Sequence, residues 1–217
     1  MIDIKCAIRV EVDLRHSLPP VRDQGDRPTC LACATSDAHS IAHGCPPLSA
    51  EFLFYQAIQL DKTGNLVDGI LFEEAAEALA QKGQPAETEW PYPLVQPDPW
   101  VVPTITKVWK GELEHSGDSA VSSIARLLKA DTPVVLGLKL SAAFLSPLSP
   151  PYIISPHGAG FGGHAVLAIG LGSGSAATQY FLIRNSWGDE WGDAGHAWLA
   201  AEYLADKHIG YAPVVAR

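Results

Sequence analysis

A cysteine opening a helix, a histidine entering an apolar strand and an asparagine further on could together break an amide bond. The cysteine is Cys30, at the end of Asp23-Gln24-Gly25-Asp26-Arg27-Pro28-Thr29-Cys30. At the first turn of a helix its sulfur lies near partly positive backbone N–H groups, which favour thiolate over thiol and so create a nucleophile. A thiolate alone cannot expel an amine; an acid must protonate the leaving nitrogen, and histidine is the usual choice. Gly162-Gly163-His164-Ala165-Val166 supplies one where a glycine loop meets an apolar run. Gly163 there would let a substrate backbone approach closely. Asn185 follows in Ile183-Arg184-Asn185-Ser186-Trp187-Gly188.

Other readings compete for these residues. Cys30 could be a small buried hydrophobe, as free cysteines often are. Cys30-Leu31-Ala32-Cys33 is also a C-x-x-C, open to redox chemistry or, with His39, His43 or Cys45, to zinc. A redox motif should follow a strand, whereas Arg22–Thr29 is a polar loop, and neither reading uses Gln24, His164 or Asn185. Cys33, about one helical turn beyond Cys30, is expected to face the core. Asp23, Asp26 and Arg27 read as solvated loop charges, with Asp26 or Arg27 open to a role in tuning the cleft. The remaining histidines read as surface or hydrogen-bonded structural residues, although the loop of His157 should border the cleft. Gly170–Gly174 has no Lys-bearing helix after it, so it reads as a hairpin turn rather than a phosphate loop.

The elements that must position the chemistry are legible in outline. Cys30–His43 is a predicted helix closed by Gly44. Ser49 can cap a second helix carrying Glu51, Phe52, Phe54, Tyr55 and Ile58. Leu71–Lys82, closed by Gly83, reads as a third, with Leu71, Ala75, Ala78 and Leu79 apolar and Glu73, Glu74 and Glu77 solvated. A proline-rich connector covers Pro85–Pro103, and a fourth helix starts at Asp118 or Ser119 and runs through Lys129. Strands are expected at Pro133–Leu140, His164–Leu171, Gln179–Asn185 and His196–Ala200, with a long Pro/Gly loop over Ser146–Gly163. Helices first and mostly antiparallel strands second make an α+β chain.

Composition narrows the function classes. Hydrophobic residues make up 47% of the 217 and charged residues 18%, so the chain can build a core. Lys plus Arg is 15 against 24 Asp plus Glu, a formal charge of −9. That balance offers no basic face for nucleic acid or an anionic membrane. The apolar runs are too short to span a bilayer. The amino terminus does not read as a secretory signal, and four cysteines do not suggest a disulfide scaffold. The expected setting is cytoplasmic, with delivery by a non-classical route also allowed.

Three blocks in order resemble the papain family of cysteine peptidases: Pro20-Val21-Arg22-Asp23-Gln24-Gly25 through Cys30, Gly163-His164-Ala165-Val166, and Asn185-Ser186-Trp187-Gly188-Asp189-Glu190-Trp191-Gly192. Weaker agreement runs through Asp13-Leu14-Arg15, Leu48-Ser49-Ala50-Glu51, Asp68-Gly69 and Trp90-Pro91-Tyr92, so the likeness covers the chain from about Asp13 to its end. His164 and Asn185 follow Cys30 at about the family's separation of roughly 130–150 residues. The resemblance implies a single two-lobed domain over 1–217. A short extension would occupy 1–12, a mainly helical lobe about 13–112 and a β-barrel-like antiparallel lobe about 113–217, with the cleft between the lobes. It implies Cys30 as nucleophile, His164 as acid and base, and Asn185 as the group orienting the imidazole. Gln24 and the Cys30 N–H would form the oxyanion hole, and Trp187 would shield the Asn–His bond. Gly69 would pair with an extended substrate, Ala165 would wall the main specificity pocket, and no metal or cofactor is called for.

The chain also departs from the family. Arg27 stands where the family has a disulfide-forming cysteine, and Leu31 where it has a tryptophan beneath the site. Residues 1–12 would not hold an inhibitory prosegment, so a separate inhibitor or immunity protein is an expected partner beside a peptide or protein substrate. A monomer is expected. The function implied is peptide hydrolysis. An acyl-transferring, deamidating or transglutaminating effector on the same triad is the alternative, and a non-catalytic binding protein a third reading.

Overall fold

One helix, α1 (Cys30–His43), runs through the interior. Every residue from Leu31 to Ser40 is buried, so its polar positions must find partners inside the protein. Ser36 and Ser40 bond back to the carbonyls of Ala32 and Ser36, and His39 Nδ1 lies 2.8 Å from Gln84 Oε1. Gly44 closes the helix in the left-handed conformation. This is a computed structural model, and it describes residues 8–60, 68–116, 121–147, 149–155, 157–175 and 178–217. Cys6, the expected helix start at Asp118 or Ser119, and positions 176 and 177 lie outside that set.

Two further helices pack on α1. The second, α2 (Ala50–Leu60), is capped by Ser49, whose Oγ accepts the Phe52 N–H at 3.0 Å. The third, α3 (Phe72–Lys82), starts one residue later than expected. Leu71 precedes it with 65% of its surface exposed, and Phe72 fills the apolar position instead. Glu74, expected only to face water, accepts the Leu71 N–H at 2.8 Å. The chain then continues through α4 (Val121–Lys129), α5 (Ala142–Leu145) and α6 (Ala201–Lys207).

The strands are β1 (Arg9–Asp13), β2 (Gly111–Leu113), β3 (Val134–Leu140), β4 (Ile153–Ile154), β5 (Phe161–Ser173), β6 (Gln179–Arg184), β7 (His196–Ala200) and β8 (His208–Ala216). They form one sheet in the order β2-β8-β3-β5-β6-β7-β4, with β1 added to β5; it does not close. The pairing is antiparallel except for β4 beside β7. β3 covers the first half of β5, and β1 takes over from Gly170 to Ser173. Gly170 and Gly172 are therefore strand residues, and the turn begins only at Gly174. A Cβ on Gly170 would stand 2.5 Å from the Val12 carbonyl, so glycine is what lets β1 lie there.

Both faces of the sheet's centre are covered, which explains why β3 and β5 are apolar and buried along most of their length. Val135, Ala165, Leu167 and Ile169 face α1, α2 and α3. Their neighbours Val134, Leu136, Val166 and Ala168 face α4 and α6 in a second core. The α+β class expected from the sequence is what forms. Among the described residues, no helix is long and apolar enough to cross a membrane.

Candidate active site

Cys30 is the first residue of α1 and sits partly exposed at the bottom of a groove. The groove encloses about 320 Å³, and its walls include Gln24, Cys30, Gly69, Gly163, His164 and Trp187. A second cavity of about 410 Å³ opens beside Cys30 and His164; its wall is mainly apolar, with Ile70, Phe72, Ala165 and Ile209, and also includes Asp68, Glu73 and His115. Every site residue singled out in the sequence therefore lines one of these spaces except Asn185, which lies behind His164.

Pairing between two remote segments assembles the site. Gln24 N–H donates to the Ser186 carbonyl at 2.8 Å, Gly188 N–H to the Arg22 carbonyl at 3.0 Å, and Asp23 bridges to Trp187. This seats Gln24 beside Asn185 and Ser186. The Ser186 Oγ donates to Gln24 Oε1 at 2.6 Å, while Gln24 Nε2 donates to the Arg27 carbonyl at 2.7 Å. One of the two Gln24 amide hydrogens is used in that bond; the other is left for a ligand.

The same segment fixes the histidine tautomer. Asn185 Oδ1 accepts the Ser186 N–H at 2.9 Å, so the oxygen and not the nitrogen of the amide faces the ring. Asn185 Oδ1 lies 2.7 Å from His164 Nε2. Nε2 must then carry the hydrogen, which leaves Nδ1 as the neutral ring's proton acceptor. Trp187 lies against the imidazole at 4.6 Å between centroids, and Phe144 meets both rings edge-on. Phe144 gave no sequence signal; it reaches the site only because β3 and α5 fold across it.

Burial shapes the charges. It pushes the Cys30 thiol up, against backbone N–H groups of Ala165, Leu31 and Cys30 itself that act the other way. It also pulls His164 down to about 4, which the Asn185 bond only partly offsets. Both shifts favour a neutral thiol and imidazole at rest, rather than the ready thiolate expected from the helix terminus. The reason is that the groove withholds from each charge the water that would stabilise it.

Cys33 is buried, as expected, and its thiol is pushed up to about 12 by burial. Among the described residues, no group of three His, Cys, Asp or Glu is placed to hold a metal. Asp23 and Asp26 are exposed loop charges, but Arg27 is not: it lies buried against Glu51. Sequence reasoning missed this because an arginine between polar residues carries no mark of the carboxylate it will meet. Gly69, at φ +81°, would place a Cβ 2.6 Å from the Pro28 carbonyl, and its lack of a side chain lets the groove wall close on the loop before Cys30.

The α+β fold thus sets the cysteine helix against the histidine strand, with an asparagine behind the ring. A family model described as papain family cysteine protease matches residues 8–215, and the chain belongs to that family. It is 25% identical over 207 residues to cysteine proteinase 3 of Entamoeba histolytica, covering 92% of this chain and 66% of that one. It is 27% identical over 202 residues to a cathepsin L-like proteinase of Fasciola hepatica, covering 89% of this chain and 61% of that one. The chain thus spans less than two thirds of the length of these relatives. In fold it matches xylellain, a cysteine protease from Xylella fastidiosa, with TM-score 0.73 at 22% identity, covering 100% and 94% of the two chains. A cysteine protease of Carica candamarcensis solved in complex with E-64 gives TM-score 0.73 at 23% identity, covering 95% and 98%.

Proposed function

We propose that the protein is a cysteine peptidase in which Cys30, His164, Asn185 and Gln24 carry out peptide-bond hydrolysis. The observation that carries the reading is the fixed amide of Asn185, which leaves His164 Nδ1 as the proton acceptor in the groove shared with Cys30. The Cys30 proton passes to Nδ1 as the sulfur attacks the substrate carbonyl. The free Gln24 amide hydrogen and the Cys30 N–H, which has no partner within its helix, hold the oxygen that becomes negative. The carbon–nitrogen bond then breaks and the amine leaves with the proton from Nδ1. Water then gives a proton to the same nitrogen and attacks the thioester carbonyl; the carbon–sulfur bond breaks, the acid leaves, and Cys30 takes the proton back from Nδ1. The apolar cavity beside Cys30, walled by Ala165, would take a substrate side chain, and Gly69 and Gly163 would flank its backbone.

Cleavage of a mixed peptide library, read by product mass, tests this. Shortened peptides with an apolar residue recurring near the cut are expected. Intact peptides with a side-chain amide turned to acid, or acyl groups moved to an added amine, would replace hydrolysis by the effector chemistry. No change in any peptide, and no labelling of Cys30 by E-64, would point to a binding protein.

The pH profile follows from the charge states. Below about 4 His164 is protonated and cannot accept the thiol proton, so kcat/KM should rise through about 4. It should fall again only above the ordinary thiol range, where the pair loses the proton needed by the leaving group. Loss of activity already near pH 6.5 on the acid side would contradict the buried, neutral imidazole.

A further inference from the structure

We propose that Arg27 is a positioning residue of the oxyanion hole, acting through its ion pair with Glu51 on α2; this rests on the reading of Cys30 and Gln24 given above. The side chains of Arg27 and Glu51 are 5% and 0% exposed. Nη1 and Nη2 of Arg27 each donate to a different oxygen of Glu51, at 2.6 and 3.1 Å. The second hydrogens of Nη1 and Nη2 go to the Pro93 carbonyl and Gln96 Oε1, both at 2.9 Å, while Nε is left without a partner among the described residues. The guanidinium also lies over the rings of Phe54 and Tyr92. Few side chains are held from so many directions, and a planar fork is the shape that permits it.

What this clamp holds is the segment between the two proposed oxyanion donors. The Arg27 carbonyl takes the anchoring hydrogen of Gln24 Nε2. Tyr92, stacked under the guanidinium, donates its hydroxyl to the Gln24 carbonyl at 3.0 Å and lies 2.6 Å from Thr29 Oγ1. Thr29 precedes Cys30. Gln24, Arg27 and Thr29 are thus tied to one buried cation, which is tied to α2. A covalent cross-link at Arg27 would hold the same loop; here an ion pair does so without any redox dependence.

A purely structural role makes a different prediction. Replacing a buried ion pair by apolar residues of similar size is often neutral for stability, because neither charge is left unpaired. The Arg27→Met/Glu51→Met double variant is therefore expected to fold and to keep Cys30 alkylation by iodoacetamide, which needs no oxyanion hole. Its kcat should fall on the order of 10²-fold with KM little changed, the signature of a loss confined to the transition state. Affinity for a peptide aldehyde, whose adduct oxygen occupies the oxyanion position, should fall in parallel.

Arg27→Lys keeps the charge but cannot span both carboxylate oxygens, so it should show the same split to a smaller degree, and it decides the matter if the double variant does not fold. If the parent protein cleaves peptides and is alkylated at Cys30, yet both folded variants keep full kcat and full aldehyde affinity, the role of Arg27 is overturned alone. Equal loss of alkylation and turnover overturns it as well, since the damage would then lie at the nucleophile. A parent protein that neither cleaves nor labels removes the peptidase reading itself.

Discussion

Replacing Cys30 by alanine is expected to reduce peptide hydrolysis on the order of 10⁶-fold, to the level left by binding and the oxyanion hole alone. In the proposed mechanism the thiol supplies both the attacking atom and the proton that His164 relays, so its removal would delete the covalent step and not merely its geometry. E-64 or iodoacetamide labelling of the groove should vanish with it. The fold should persist: alanine suits the first turn of a helix, and the sulfur it removes is only partly buried. Cys33→Ala provides the internal comparison. Its side chain lies in the core with the thiol pushed up to about 12, so activity should remain. Turnover by Cys30→Ala at the parental rate would end the mechanism, whatever the second variant does.

The largest expected effect on stability is at Asp37. This residue lies two turns beyond Cys30 on α1, and its carboxylate takes Arg22 Nε at 2.7 Å and Arg184 Nε at 2.8 Å. Arg22 stands two residues before Gln24, and Arg184 immediately precedes Asn185. One buried carboxylate therefore joins the three segments that carry Cys30, Gln24 and Asn185. Asp37→Ala would leave the buried Arg184 guanidinium with only the Pro20 carbonyl, and Arg22 with Glu87 and the Leu48 carbonyl. Breaking a buried pair from one side typically costs about 3–5 kcal/mol. Equilibrium urea unfolding should show the extrapolated unfolding free energy falling by that amount, seen as a lower midpoint at an unchanged slope. Asp37→Asn, which keeps one acceptor oxygen, should lose less. A midpoint for Asp37→Ala equal to the parent's would mean that the helix and the two segments are held together by the apolar cores alone.

Arg27 and Asp37 show where sequence reading stops. Asp37 lies outside the recognisable blocks and Arg27 interrupts one, and neither charge carries a mark of the partners that arrive from other segments. Glu51 lies on a different helix from Arg27, and Arg184 is separated from Asp37 by nearly the whole β region. The same limit appears in reverse at Leu71, apolar in pattern yet exposed because it precedes the helix, and at Gly170 and Gly172, whose turn-like composition accommodates a neighbouring strand. Local composition measures what a segment prefers; the neighbour it meets decides which preference is used.

What the sequence by itself determined is the inventory and its order: a cysteine opening a helix, histidine entering a strand, asparagine ending one, and glutamine ahead of the helix. It also determined the start of α2 and the ends of α1 and α3, because caps at Ser49, Gly44 and Gly83 act within a few residues and need no tertiary partner. The tertiary structure decided the surroundings that shift the ionisation of Cys30 and His164, and the aim of the side chains. Burial of Cys30 and His164, the orientation of the Asn185 amide by Ser186, and the clamping of Arg27 by Glu51 all depend on groups brought together from distant parts of the chain. Solvent exclusion and hydrogen-bond direction are properties of that assembled neighbourhood, and no single segment contains them.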